Sequence, residues 1–293
     1  MKMKKREHTK IGRLRTLLLL DRIMICILAA VIACASLALV AVMLSKGVTA
    51  AYGRDFETDP IRIYIDQGHN PAPYHNLGAE GNGLYEQDLT YQIGCMLAEL
   101  LREDGRFEVC LSRPDESTVL GTDRDSSLQA RVDGAAAFRA DYLISLHINS
   151  FTNDAACGIE VHTAERSGES YALGKCLLNG MLDATGLKNR GMKHSADLFL
   201  LKNAAMPAVL LEMGFISNPD DAAFLEEHPE LFAQGIYDGI VDHFTSPYRT
   251  HINILLGVIA ISVMIMILLI FAGNVFMRKL SKRSYDGDGN EAT

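Results

Sequence analysis

Two stretches of the chain are apolar without interruption, and between them the spacing of apolar positions changes period repeatedly. Residues 23–44 and 254–273 form runs of 22 and 20 residues without a charged side chain. Each is long enough to cross a hydrocarbon core of about 30 Å at about 1.5 Å per residue. Both are predicted transmembrane helices. Between them, residues 61–65 are a short β-rich run, and residues 86–103 then carry Leu89, Ile93, Met96, Leu97, Leu100 and Leu101 at helical spacing. The same reading gives strands at 107–111, 142–146, 158–162, 198–201 and 208–213, and helices at 128–138, 170–182 and 232–244.

Strands alternating with helices predict an α/β domain: a mixed, largely parallel sheet with helices on both faces, flanked by the two transmembrane helices. The organisation expected is a basic tail (1–22), a span (23–44), a linker (45–60), a globular domain (61–245), a second linker (246–253), a second span (254–273) and a tail (274–293).

Charge orients these parts. Eight Lys or Arg precede the first span, and Arg278, Lys279, Lys282 and Arg283 follow the second. Basic flanks stay on the cytoplasmic side, so both termini are expected in the cytoplasm and the domain outside the cell membrane. Residues 51–250 hold 15 Lys or Arg against 31 Asp or Glu, a surplus of 16 negative charges. That argues against nucleic-acid partners, which need clustered basic residues. A competing reading of the first span is a signal peptide cleaved near Val48-Thr49-Ala50, although the apolar run exceeds the usual length of about 7 to 15 residues. Cys95, Cys110, Cys157 and Cys176 show no C-x-x-C pair, and a domain of this size needs no disulfides, so buried free thiols are expected.

In folds of this class, sites form at the carboxyl ends of the strands. Residues there are Asp66, Gly68 and His69, then His147 and Asn149, then Glu212, while Glu86 opens the helix after the first strand. A catalytic zinc site takes three ligands from His, Glu or Asp and keeps one position open. His69, Glu86, His147 and Glu212 could supply three ligands and a general base. Each has a plainer reading: His69 as a loop residue, His147 as a core histidine, Glu86 as a favourable charge at a helix start. Glu212 is harder to dismiss, since a carboxylate inside Val209-Leu210-Leu211 is costly without a partner.

Several stretches together resemble the zinc-dependent N-acetylmuramoyl-L-alanine amidases of the amidase 3 type. They are Ile63-Tyr64-Ile65-Asp66-Gln67-Gly68-His69, Gly78-Ala79-Glu80-Gly81 leading to Glu86, Leu128-Gln129-Ala130-Arg131, Ile144-Ser145-Leu146-His147-Ile148-Asn149, Asn189-Arg190-Gly191-Met192-Lys193, and the run from Met206 through Glu212-Met213-Gly214-Phe215. The resemblance implies that His69, Glu86 and His147 bind zinc, that Glu212 acts in catalysis, and that the substrate is the amide between N-acetylmuramic acid and L-alanine in peptidoglycan. Asn149 and Arg131 are further candidates for touching substrate. This chain departs from the family in having Gln67 where Pro is usual, and Asn70-Pro71 where two Gly follow the Gly-His pair. A catalytically silent wall-binding or regulatory module is the alternative, against which the presence of all four matched residues argues. Partners expected are peptidoglycan and, through the two spans, the lipid bilayer.

Overall fold

The computed structural model describes residues 59–287 and scattered single positions between residues 12 and 34. The chain divides between Ser246 and Pro247, and residues 51–246 form the unit that holds the site. Its strands are β1 (Ile61–Gln67), β2 (Glu80–Gly81), β3 (Leu84–Tyr85), β4 (Phe107–Leu111), β5 (Tyr142–Asn149), β6 (Ile159–Thr163), β7 (Asn189–His194) and β8 (Ala208–Phe215). The helices are α1 (Glu86–Asp104), α2 (Arg124–Phe138), α3 (Glu169–Thr185), α4 (Phe199–Asn203), α5 (Pro219–Glu227) and α6 (Pro229–Gly287).

Six strands make one sheet in the order β4-β1-β5-β8-β6-β7, and β2 pairs with β3 as a hairpin. The ladders from β4 to β8 are parallel, β6 runs antiparallel to β8, and β7 is parallel to β6. The expected mixed, largely parallel sheet is therefore present.

The two faces are covered unequally. On one, Ile63, Ile65, Leu146, Ile148, Val161 and Leu211 join α1, α3, α5 and the start of α6 in the main core. On the other, Tyr64, Leu143, Ala208 and Leu210 meet α2 and the short α4. Because strand side chains alternate faces, this second face also carries Asp66, Ser145, His147 and Glu212 beyond those apolar positions. Polar residues thus gather where the second helical layer stops.

Two expectations need correction. Residues 198–201 are not a strand: Phe199–Asn203 is helical, with Leu200 and Leu201 buried, and so short an apolar run has no period that separates the two states. Residues 246–253, expected as a linker, are helical within α6, and the boundary between the two compact units falls at Ser246 and Pro247. Cys95, Cys110, Cys157 and Cys176 are free but only partly buried. As for the spans, no helix among the described residues is long and apolar enough to cross a membrane. Residues 23–44 lie mostly outside the described residues, and 254–273 fall in a part of α6 with incompletely described side chains.

Candidate metal centre

The turn after β1 brings His69 back over the sheet. Its φ is 68°, the left-handed region that non-glycine residues rarely enter, and holding it there costs on the order of 1–3 kcal/mol. Gly68, just before it, passes so close to β5 that a Cβ would lie 2.5 Å from the Leu146 carbonyl oxygen and 2.7 Å from His147 Cε1. No side chain fits at that crossing.

Glu86 reaches the same place from the start of α1. Its backbone N–H donates to the Ala79 carbonyl at 3.0 Å, while its Oε2 accepts from Ala79 N–H at 2.8 Å. This double strap depends on the hairpin between them. That hairpin turns at Asn82 and Gly83, both at positive φ, which is the Asn-Gly turn signature. The dipeptide is plain in the sequence and could have revealed the hairpin that periodicity missed.

Glu86 Oε1 lies 3.1 Å from His69 Nε2 and 2.9 Å from His147 Nδ1, and it also accepts from Ile148 N–H at 3.0 Å. His69 Nδ1 is 3.2 Å from the Asn76 carbonyl oxygen. A carbonyl only accepts, so Nδ1 donates there, and Nε2 is the ring nitrogen that faces Glu86. One ligand atom from each of the three residues lies within 4.8 Å of the others. Burial pushes the Glu86 carboxyl upward, but its bonds to His147 and His69 outweigh that and hold it well below the usual range.

Glu212 stands beside this cluster, its β8 position in register with His147 on β5. Its Oε2 is buried and has no hydrogen-bond partner among the described residues. Burial, followed by the charges of Glu86 and Glu160, raises its carboxyl well above the ordinary value. Two imidazoles and a carboxylate converging beside an unpartnered buried oxygen fit the donor set and open position of a catalytic zinc site.

Arg131, a candidate for touching substrate or for a structural ion pair, makes the ion pair. It is 1% exposed, and Nη1 donates to Asp66 Oδ1 at 2.5 Å and to the Gln67 carbonyl at 2.7 Å, while Nη2 donates to the His69 carbonyl at 2.6 Å. Those bonds brace the His69 turn, while the buried Nε has no partner among the described residues. Burial pushes the Asp66 carboxyl upward, and Arg131 with the Ser145 hydroxyl outweighs it and holds the group below its usual range. Asn149 sits at the end of β5 and donates from Nδ2 to Glu160 Oε1 at 3.1 Å.

Both departures from the family pattern are accommodated. Gln67 accepts from Arg113 N–H at 2.9 Å and lies where a Cβ on Gly94 would come within 2.5 Å of it. Asn70 exchanges two hydrogen bonds with the Leu120 backbone, at 2.9 and 3.1 Å. Glu160 is a polar hub not foreseen from sequence. Its signal was there: like Glu212, it is a charged residue inside an apolar strand.

The sequence profile described as N-acetylmuramoyl-L-alanine amidase (Amidase_3) matches residues 63–242. The chain is 32% identical over 185 residues to "Uncharacterized protein YqiI" of Bacillus subtilis, covering 62% of this chain and 84% of that one. It is 32% identical over 186 residues to "N-acetylmuramoyl-L-alanine amidase LytC" of the same organism, covering 62% of this chain and 35% of that one. Among solved structures, the catalytic domain of CwlV, an N-acetylmuramoyl-L-alanine amidase from Bacillus (Paenibacillus) polymyxa var. colistinus, matches with a TM-score of 0.56 and 30% identity, covering 62% of this chain and 97% of that one. A profile match over more than half of the chain, with His69, Glu86 and His147 assembled in one cluster inside it, shows that the chain belongs to the N-acetylmuramoyl-L-alanine amidase family.

Proposed function

We propose that this chain is a zinc-dependent peptidoglycan hydrolase, with His69, Glu86 and His147 as zinc ligands and Glu212 as the group that moves the proton. The observation that carries this reading is the convergence of the three donors beside the buried, unpartnered Oε2 of Glu212. The scissile bond is the amide between the lactyl group of N-acetylmuramic acid and L-alanine. Zinc, when bound, supplies Lewis acidity that polarises the carbonyl and acidifies a water near neutral pH.

The remaining steps belong to the chain. Glu212 accepts a proton from the attacking water and delivers it to the departing nitrogen, so alanine leaves with a free amine and the lactyl group keeps a carboxylate. Burial raises the proton affinity of Glu212, the direction that lets a carboxylate hold the proton between the two transfers. Arg131 and Gly68 hold His69 and His147 in place.

The test pairs the zinc content of the purified protein with mass spectrometry of digested muropeptides. Bound zinc and free stem peptides beginning with alanine are expected. Products cut within the peptide or the sugar chain would overturn the reading.

The apolar runs at 23–44 and 254–273, with their basic flanks, support a membrane tether with the amidase unit outside. Ile261, Met264, Ile265 and Leu268 are each at least half exposed, a cover of apolar surface that suits lipid. Protease added to intact spheroplasts should remove the amidase unit. Clipping of both tails with that unit spared would invert the orientation.

A further inference from the structure

The metal-type cluster is one end of a row that continues across the sheet. Register places His147 on β5 opposite Glu212 on β8, Glu212 opposite Glu160 on β6, and Glu160 opposite Gly191 on β7. Neighbouring strands lie about 4.8 Å apart, so β7 is roughly 10 Å beyond Glu212.

At that far end stands a polar cluster that the reaction leaves unused. Glu160 Oε2 accepts from Arg190 Nε at 2.7 Å and lies 3.7 Å from Lys193 Nζ. Its Oε1 accepts from Asn149 and lies 3.3 Å from His162 Nε2. The Arg190 guanidinium rests over the Phe215 ring, 4.6 Å from its centre. Glu160 is buried, whereas the Arg190 and Lys193 side chains keep 29% and 39% exposure. Burial pushes the His162 imidazole down, so it is neutral at neutral pH. One cation would neutralise Glu160, and the second leaves a positive charge uncompensated within the cluster. The domain's own surplus is strongly negative, so this local excess is not a general surface property.

The direction of the substrate follows from the chemistry. Glu212 protonates the departing nitrogen, so the peptide half of the substrate lies on the Glu212 side of the donors, along the row. An extended peptide advances about 3.3–3.6 Å per residue, and roughly 10 Å is therefore about three residues. Gly191 keeps the strand face clear on the way, with nothing within 4 Å of where a Cβ would stand.

We propose that Arg190 and Lys193, held by Glu160, form a subsite for a carboxylate of the stem peptide two or three residues beyond the scissile nitrogen. The inference rests on the amidase reading above. Guanidinium and ammonium donors bind carboxylates through charge-assisted hydrogen bonds, and the Phe215 ring limits where the guanidinium can go.

The test uses the zinc-loaded full chain and two N-acetylmuramoyl peptides that differ only at peptide residues two and three, with the carboxylates there free or amidated. Wild type should prefer the acid by at least about 10-fold in kcat/KM, the lower worth of a hydrogen bond to a charged group, and mainly through KM. In Arg190→Gln and Lys193→Met that ratio should fall towards one. Lys193→Met leaves the Arg190–Glu160 pair intact, so it guards against a simple folding defect, and zinc content checks the same point. Equal rates for the two substrates in wild type, or a preference that persists in both variants, would overturn the subsite. If wild type cuts neither substrate, the amidase reading fails, and calorimetry with the free acid and amide peptides then decides the subsite. Acid-selective binding lost in Lys193→Met supports it, and binding without selectivity overturns it.

Discussion

Arg131 donates a 2.6 Å hydrogen bond to the carbonyl of His69, a metal-type ligand 62 residues away, while its other nitrogen grips Asp66 and the Gln67 carbonyl. The fork thus spans the end of β1 and the strained turn that follows it. Replacing Arg131 with Ala strands the Asp66 charge in the core, which should cost about 3–5 kcal/mol in chemical denaturation. Arg131→Lys keeps a charge without the fork, so its larger effect should be weaker zinc binding in competition with a chelator. Wild-type zinc affinity in Arg131→Lys would show that something else holds His69.

His69→Ala and His147→Ala each remove one of three converging donors. Zinc occupancy and amidase activity should fall together in both, measured by metal analysis and stem-peptide release. Full occupancy in the two variants would place the ion elsewhere.

Glu212→Gln preserves shape while removing the ability to accept a proton. Zinc should stay bound, and turnover should drop by roughly 10²- to 10⁴-fold. Loss of metal along with activity would move Glu212 into the ligand set.

The raised proton affinity of Glu212 has a consequence for stability. The folded metal-free protein binds more protons at this site than the unfolded chain, so the stability linked to it is fully present below the ordinary value of 4.5 and is lost as pH rises through the raised one. Gln does not titrate. The Tm advantage of metal-free Glu212→Gln over metal-free wild type should therefore grow as pH is raised from about 5 to 8. A constant difference over that range would mean that Glu212 ionises normally.

Gly68→Ala would push a methyl group to 2.5 Å from the Leu146 carbonyl oxygen and 2.7 Å from the His147 ring. Backbone on one side and a proposed ligand on the other leave little room to yield. Both Tm and zinc affinity should fall, whereas Gly105→Ala, which meets nothing within 4 Å but has a φ of 74°, should cost about 1 kcal/mol in stability and leave zinc binding alone. Equal effects of the two would remove the packing argument.

Much of this was legible in the residues. The apolar spacing of Leu89, Ile93 and Leu97 marked α1, and the run around Leu146 marked β5, because a buried face shows itself in neighbours two, three or four positions apart. The same logic singled out Glu212, a charge in an apolar strand, and applies equally to Glu160. The four residues of the proposed centre were readable because each sits at a strand end or helix start, where the order of elements already says which rim it joins.

Other features depend on partners far away in the chain, and local spacing carries no record of them. For Arg131 the residues alone left substrate contact and a structural ion pair both open, and only the approach of α2 to the end of β1 paired its guanidinium with Asp66, 65 positions away. The antiparallel insertion of β6 beside β8 is likewise non-local, and it alone sets Glu160 opposite Glu212. Periodicity reports which face of an element is buried, whereas strand order, ion-pair choice and the row from His147 to β7 arise only when separate elements compete to cover one another's polar and apolar surface.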